Sequence, residues 1–475
     1  MDNSQPLYRQ LADSLEEAIK VGTIVGGQRL PSVRALARSE GISISTALSV
    51  YRDLEHRGMV EARPKSGYFA RASCCLPALE PLEPDASPVQ ITTTGLMRDF
   101  TREASEFRGV AFGAALPSHK LLPVRELGRA VTATMHREGN ESVALLEPLG
   151  LPALRQVVAA RMLNAGCRVA PEEIVITNGC SEALSLALQV CTRPGDVVAV
   201  ECPSFYGTLL AIHGLGRQVL EIKTCPKDGL SVEAFEQACR KAPPRVLVVS
   251  PSVQNPTGAC MSEASKLRLL EIAAEYGVTI IEDDVFGELA REGGSRPWAL
   301  KSRAQDADVI YCSSFSKILS PGFRLGWIVP GRYLEAIRST KIVQTWGGPG
   351  LLQRSVVRML HAGSLENRIR QLVKETDATR RKALAVIDES FPQGVAVANS
   401  QYGYLLWLRL PGHVDSMPLY HQAAKRLGVN FAPGVIFSAT GQFSDHLRLN
   451  LGFPWNDGVE LALRQLGALL CEAYG

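Results

Sequence analysis

A chain of 475 residues, 46% hydrophobic and with a formal net charge of +3, is too long for one ordinary core and too balanced to be a polyelectrolyte, so two or three domains are expected. Its eleven cysteines are odd in number, scattered and without a paired CxxC spacing, which argues against a disulfide framework or a metal site and for a reducing compartment. No window approaches the roughly 18 unbroken apolar residues of a membrane span, and the polar, acidic start MDNSQPLYRQLADSLEEAIK does not read as a signal peptide.

Residues 6–21 put Leu7, Leu11, Leu15 and Ile19 on one helical stripe. Pro31 and Ser32 start a short helix with Val33, Leu36 and Ala37 facing inward, and Gly41 breaks it. Ser43 is placed to cap a second helix, with Ala47, Leu48 and Tyr51 on one face, Leu54 continuing it and Gly58 ending it. MVEARPKSGYFA then predicts two short strands with a turn over 64–67. Helix, turn, helix and hairpin is the order of a winged helix-turn-helix, assigned to residues 1–72.

These residues hold ten Lys or Arg against eight Asp or Glu. Arg34 and Arg38 lie on the helix before the turn, and Arg63 and Lys65 at the hairpin tip, where cations hold phosphates. Ser43, Ile44, Ser45 and Thr46 open the second helix, where side chains meet base edges. A small helical domain or a protein-interaction module fits the same pattern. The stretch LPSVRALARSEGISISTALSVYRDLEHRGMVEARPKSGYF resembles the GntR family of bacterial regulators over 8–70. The resemblance implies that Arg34, Ser43, Ser45, Thr46 and Gly67 touch double-stranded DNA. Ile44 stands where many relatives carry arginine, so the operator sequence does not carry over.

The next stretch, ASCCLPALEPLEPDASPV, spreads Pro77, Pro81, Pro84 and Pro88 through it. Proline removes amide donors and holds a chain extended, which predicts a semi-rigid linker over 73–95.

From 96 to 475, short apolar runs at 174–177, 197–201, 245–251, 278–284 and 308–315 alternate with helical stretches such as SEASKLRLLEIAAEYG. That alternation predicts an α/β domain with a mostly parallel sheet, whose ligands bind beyond the carboxyl ends of the strands. Gly179 allows a tight turn there, with Cys180 and Ser181 at a helix start that favours anions. The other ends carry Phe205 in CPSFYG, Asn255 in NPTG, the triplet Glu282, Asp283 and Asp284, and Lys317 in SFSK with Ser314, Ser316 and, beyond, Arg324. Pyridoxal 5′-phosphate uses all of these: a lysine for its Schiff base, an acid for its ring nitrogen and donors for its phosphate. A lysine beside an arginine and a pyridinium has its amine pKa lowered. A surface lysine or a helix-capping aspartate accounts for one such residue, not for five at five strand ends.

SSFSKILSPGFRLGW, NPTG, EDD and HLRLN (446–450) resemble, in the same order, the fold-type I aminotransferases of class I and II from about Gly113 onward. The resemblance implies that Lys317 forms the internal aldimine, Asp283 pairs with the pyridine nitrogen, Asn255 bonds the ring 3′-oxygen and Phe205 stacks on the ring. It gives the phosphate to Gly179, the Cys180 amide, Ser181, Ser314, Ser316 and Arg324, and a ligand carboxylate to Arg448, as a planar guanidinium binds it. It also implies a smaller C-terminal α+β subdomain over about 345–475. Val285 and Phe286 stand where the family usually has a tyrosine donating to the 3′-oxygen. LLEPLGLPALR lacks the tyrosine before Pro-x-Gly that reaches a partner's phosphate site. Cofactor binding is expected to survive both losses, because many contacts remain.

A GntR-type head joined to an aminotransferase-like domain resembles the MocR subfamily of transcriptional regulators. That implies a cytoplasmic homodimer, dependent on pyridoxal phosphate, that binds paired DNA half-sites. Its signal would be an amino acid, an amine or a B6 vitamer, read through aldimine formation at Lys317. A working aminotransferase with an accessory DNA-binding domain is the alternative, and a cofactor-free DNA-binding scaffold is a third.

Overall fold

In the computed structural model, residues 6–20, 23–25, 27–56, 59–63, 66–70, 76–85, 87–290, 296–361, 363, 365–398, 400 and 402–473 are described. The chain divides into two units, Met1–Cys75 and Leu76–Gly475. Among the described residues no helix is long and apolar enough to cross a membrane.

The first unit runs α1 (Leu7–Lys20), α2 (Val33–Ser39), α3 (Ile44–His56), β1 (Val60–Arg63) and β2 (Gly67–Ala70), the last two antiparallel with Arg63 opposite Gly67. The order is the predicted one, and local chemistry sets the ends. The hydroxyls of Ser32 and Ser43 accept from the amides of Ala35 at 3.2 Å and Thr46 at 3.0 Å, each satisfying a donor that a first turn leaves open. Gly41 supplies the turn between α2 and α3 at φ 64°. Ala12, Ile19, Leu36, Ala37, Ala47, Tyr51 and Leu54 meet in one core. Leu7, expected on that stripe, is exposed because it sits in the first turn of α1. The sequence hid one pairing: Arg29 bridges Phe69, flanked by Leu30 N–H to Tyr68 O at 2.9 Å and Ala70 N–H to Gln28 O at 2.8 Å. The two-stranded wing is therefore extended by a single bridge at Arg29. So short a piece has no period to read.

The second unit is built on β3 (Val175–Thr177), β4 (Val197–Cys202), β5 (Gln218–Cys225), β6 (Gly229–Leu230), β7 (Val246–Val249), β8 (Thr279–Asp283), β9 (Val309–Ser314) and β10 (Gly326–Val329), ordered β3-β10-β9-β8-β7-β4-β5-β6. The run β5-β4-β7-β8-β9 is parallel, and β10 is inserted antiparallel between β9 and β3. Val246, Val248 and Ile281 face one core, and Leu247, Val249 and Ile280 the other. Both faces are thus covered, as a parallel sheet requires. The helix Glu263–Tyr276 is capped by Ser262 and ended by Gly277 at φ 66°, as SEASKLRLLEIAAEYG predicts. Sequence reading misses β5, whose Gln218, Glu221, Lys223 and Thr224 interrupt an apolar run, and β10.

A C-terminal sheet follows, β11 (Ala396–Val397), β12 (Leu405–Arg409), β13 (Ala432–Pro433) and β14 (His446–Asn450), ordered β11-β12-β14-β13. Val110–Ala111 pairs with Val429–Asn430, and the chain from there to Ser118 is bonded to this layer: Asn450 N–H to Phe112 O at 2.7 Å, Gly113 N–H to Asn430 Oδ1 at 2.9 Å, Ser118 N–H to Gly452 O at 2.7 Å.

The expected linker over 73–95 is, from Leu76 on, part of the second unit. Leu79, between Pro77 and Pro81, and Ile91, just after Pro88, are buried at 9% and 5% exposure. The extended backbone pairs with the unit through Val397 N–H to Pro77 O at 2.9 Å and Val89 N–H to Val219 O at 2.8 Å. Proline kept the chain extended, and its apolar residues decided that it packs.

Candidate cofactor and nucleic-acid sites

Sheet topology brings five of the predicted strand ends together. The helix Cys180–Cys191 begins straight after β3, with Gly179 at φ 81°. A Cβ added at Gly179 would lie 2.6 Å from an Arg324 guanidinium nitrogen, so a side chain there would push that cation off the helix start, at a φ that already favours glycine. Arg324 donates to Asn178 O at 3.1 Å, which fixes its reach. The first-turn carboxylate Glu182 would repel an anion, but it is tied to the buried Lys341 at 3.2 Å and to the Asn178 amide. Ser314 and Ser316 are buried at the end of β9, with Ser316 N–H on Ser314 Oγ at 3.3 Å. Free first-turn amides, hydroxyls and a guanidinium make a phosphate cradle.

Of the three acids ending β8, only Asp283 faces this place. Glu282 accepts from the Leu300 and Lys301 amides at 2.8 and 3.0 Å, and Asp284 accepts from Tyr311 Oη at 2.7 Å and pairs with Arg296. Asp283 Oδ1 accepts from the Cys180 thiol at 3.4 Å and from Val285 N–H at 3.3 Å. Burial pushes the Asp283 carboxyl up, opposed by those two donors and by Lys317. A cation placed on the remaining oxygen would hold it ionised, the condition a protonated pyridine nitrogen sets.

Lys317 Nζ donates to Ala115 O at 2.6 Å and stands 4.8 Å from the centre of the Phe286 ring. Its pKa is lowered to about 8, first by burial and then by the Arg448 charge, against Asp283 and Cys180, which raise it. The sequence expectation of a lowered amine is met, but Arg448 contributes more than Arg324 does. Arg448 is fully buried on β14, donating through Nη1 to Asn255 Oδ1 at 2.9 Å and through Nη2 to Gly113 O. Arginine only donates, so the contact fixes the Asn255 amide and leaves its Nδ2 hydrogens for another acceptor. Phe205 follows β4, half-buried, its ring 4.7 Å from that of Tyr206. Its ring lies so close over Gly207 that any side chain there would collide with it.

Lysine, carboxylate, amide, aromatic and phosphate cradle at one sheet edge fit pyridoxal 5′-phosphate. Sequence reasoning missed the Cys180 thiol on Asp283, the Gly113 and Ala115 carbonyls that receive Arg448 and Lys317, and the buried phenol of Tyr404. Motif spacing tells which strand end a residue occupies, but not which side chains from distant segments meet it.

In the first unit, Arg34, Ser43, Ile44, Ser45, Arg63 and Gly67 are exposed and Thr46 half-buried. Ser43 Oγ is engaged by the Thr46 amide and lies 2.7 Å from Ser45 Oγ, so Ser45 presents the more available hydroxyl. Arg63 pairs with Glu61 and lies 4.4 Å over the Phe69 ring. Lys65 lies outside the described residues.

The pattern of the aminotransferase class I and II family matches residues 118–458, and that of the bacterial regulatory proteins of the gntR family matches residues 7–69. The uncharacterized HTH-type transcriptional regulator YjiR of Escherichia coli K12 is 33% identical over 98% of this chain and 99% of its own. The probable rhizopine catabolism regulatory protein MocR of Rhizobium meliloti is 25% identical over 91% of this chain and 87% of its own. Among solved structures, LysN, the alpha-aminoadipate aminotransferase of Thermus thermophilus complexed with N-(5′-phosphopyridoxyl)-L-leucine, covers 80% of this chain and 95% of its own at TM-score 0.72 and 29% identity.

Proposed function

We propose that this chain, which belongs to the class I and II aminotransferase family and begins with a GntR-family regulatory domain, is a DNA-binding transcriptional regulator that reads a small amine-bearing ligand at Lys317. The observation that carries the reading is the meeting of a half-buried Lys317 with the buried Asp283 and Arg448 at the strand tips, in a chain with a winged helix-turn-helix at its start. Pyridoxal 5′-phosphate supplies an aldehyde that condenses with an amine and releases water. Lys317 holds it, and its lowered pKa keeps free amine available near neutral pH. Asp283 would keep the ring nitrogen protonated, Asn255 would orient the ring oxygen, Phe205 would cover its face, and Gly179, Cys180 through its amide, Ser181, Ser314, Ser316 and Arg324 would hold the phosphate. An amino acid or amine would take the place of the Lys317 amine and leave that side chain free, while a B6 vitamer would act by occupying the site itself. The ligand shifts the protein only by its differential affinity for two arrangements. Arg34, Ser43, Ser45, Thr46, Arg63, Lys65 and Gly67 are assigned to the DNA face. The place of action is the cytoplasm.

The transaminase reading is favoured by the same three residues but weakened by Phe286, which meets Lys317 with a ring lacking a hydroxyl. The reading of the chain as a regulator is supported by a relative named as one along nearly its whole length.

The dimer is assigned to an apolar surface of the second unit. Val143, Leu145 and Val343 are 74%, 77% and 86% exposed; Val343 lies near the end of the helix Leu334–Gln344, and the chain that follows packs through Gly347 and Gly350 on Ala144, Leu146 and Glu147, beside the other two. Large apolar side chains exposed on neighbouring segments in this way fit a second copy.

The test is spectroscopic. Purified full-length protein given pyridoxal 5′-phosphate is expected to absorb visible light, and Lys317→Ala to lose that band while still binding DNA. Rapid multiple turnover with amino acids and an oxo acid would move the assignment to an enzyme. A colourless protein that binds DNA would leave only a scaffold.

A further inference from the structure

A buried polar atom without a partner is costly, and it persists where another molecule completes it. Among the described residues, Tyr404 Oη and Arg448 Nε are such atoms beside the Lys317 site. Tyr404 is fully buried just before β12. Its ring meets Phe286 edge to face at 5.6 Å, and Phe286 in turn carries Lys317 Nζ 4.8 Å from its centre. Gly452 admits the ring: a Cβ there would lie 3.3 Å from Tyr404 Cδ2 and 3.1 Å from Pro117 Cα. Arg448 and Tyr404 are electrostatic neighbours: the guanidinium pulls the phenol's pKa down against burial, and the phenol raises that of the arginine. Phenylalanine would fill the same space without stranding a hydroxyl.

We propose that the Tyr404 hydroxyl donates to the ligand carboxylate that Arg448 receives, so that Tyr404 selects amino acids over amines lacking a carboxylate. The inference rests on the reading of Arg448 as the carboxylate site. Asn255 and Gly113 hold the guanidinium in place through Nη1 and Nη2, so it does not swing away. A carboxylate offers about four acceptor positions, more than one fixed guanidinium edge fills, and a phenol at its side takes another. Phe286 has no hydroxyl to compete for that position.

Full-length protein loaded with pyridoxal 5′-phosphate, and its Tyr404→Phe variant, are titrated with L-alanine, L-glutamate, L-lysine and 1,4-diaminobutane while the visible spectrum is followed. The variant is expected to bind the responding amino acid about tenfold or more weakly and the diamine as before. In the cofactor-free protein the same substitution removes a stranded hydroxyl, so the unfolding temperature is expected to rise by about 1–3 °C. A lower unfolding temperature would mean that the hydroxyl has a partner at rest, and equal amino-acid affinities that it touches no ligand; either overturns the inference and leaves the site reading standing. If the wild-type spectrum answers no amine at all, the ligand-sensing reading falls, and the inference with it.

Discussion

Lys317 carries a pH signature. Burial and the Arg448 charge hold its amine near 8, below the ordinary 10.5. Between those values the unfolded chain binds a proton that the folded chain does not, so this group makes the cofactor-free protein more stable as pH rises through the window. The rate at which cofactor-free protein takes up pyridoxal 5′-phosphate is therefore expected to have a midpoint near pH 8. Arg448→Leu removes a like charge, and its midpoint should move upward. A wild-type midpoint at the free-lysine value would contradict the buried site. Gly179→Ala tests the cradle in the same assay. Its methyl group must displace the Arg324 guanidinium, 2.6 Å away, at a backbone angle that favours glycine. Cofactor affinity is expected to fall about tenfold or more for the loss of one charge-assisted contact. Circular dichroism should show an unchanged fold.

At the scale of elements, α3 separates two roles that the sequence runs together. Ser43 closes the first turn through the Thr46 amide, so Ser43→Ala is expected to cost about 1 kcal/mol of stability, read by thermal melting. Ser45 closes no turn, and Ser45→Ala should leave melting unchanged while weakening operator binding in a gel-shift titration; the opposite pattern would reverse the assignment. Caps, turn glycines and apolar periods are local, and for that reason α1 to α3, the hairpin and five strands of the large sheet were legible in advance. β5 was not, because its polar residues are satisfied by distant partners: Glu221 accepts from the Ala439 amide at 2.8 Å. Nor was the packed course of the chain from Leu76, which depends on where Leu79 and Ile91 find a core. The site shows the same division. Lys317, Asp283, Asn255 and Arg448 stand in recognisable motifs, whereas Tyr404 and the Gly113 carbonyl reach them only through the C-terminal layer.

For the whole molecule, Leu145→Asp with Val343→Asp puts charge on the two exposed segments assigned to a second copy. Light scattering should report a monomer, against a dimer for the wild type, with the visible band of each variant showing whether the site survives. The central claim is that one chain couples a ligand at Lys317 to DNA, and such coupling is reciprocal: if a ligand changes operator affinity by some factor, the operator changes ligand affinity by the same factor. The direct measurement is a spectral titration of the cofactor-loaded protein with a responding amino acid, made with and without operator DNA. The account predicts two different dissociation constants, in a ratio matching the change in DNA affinity that the amino acid produces. Identical curves, from a protein that binds both partners, would contradict it.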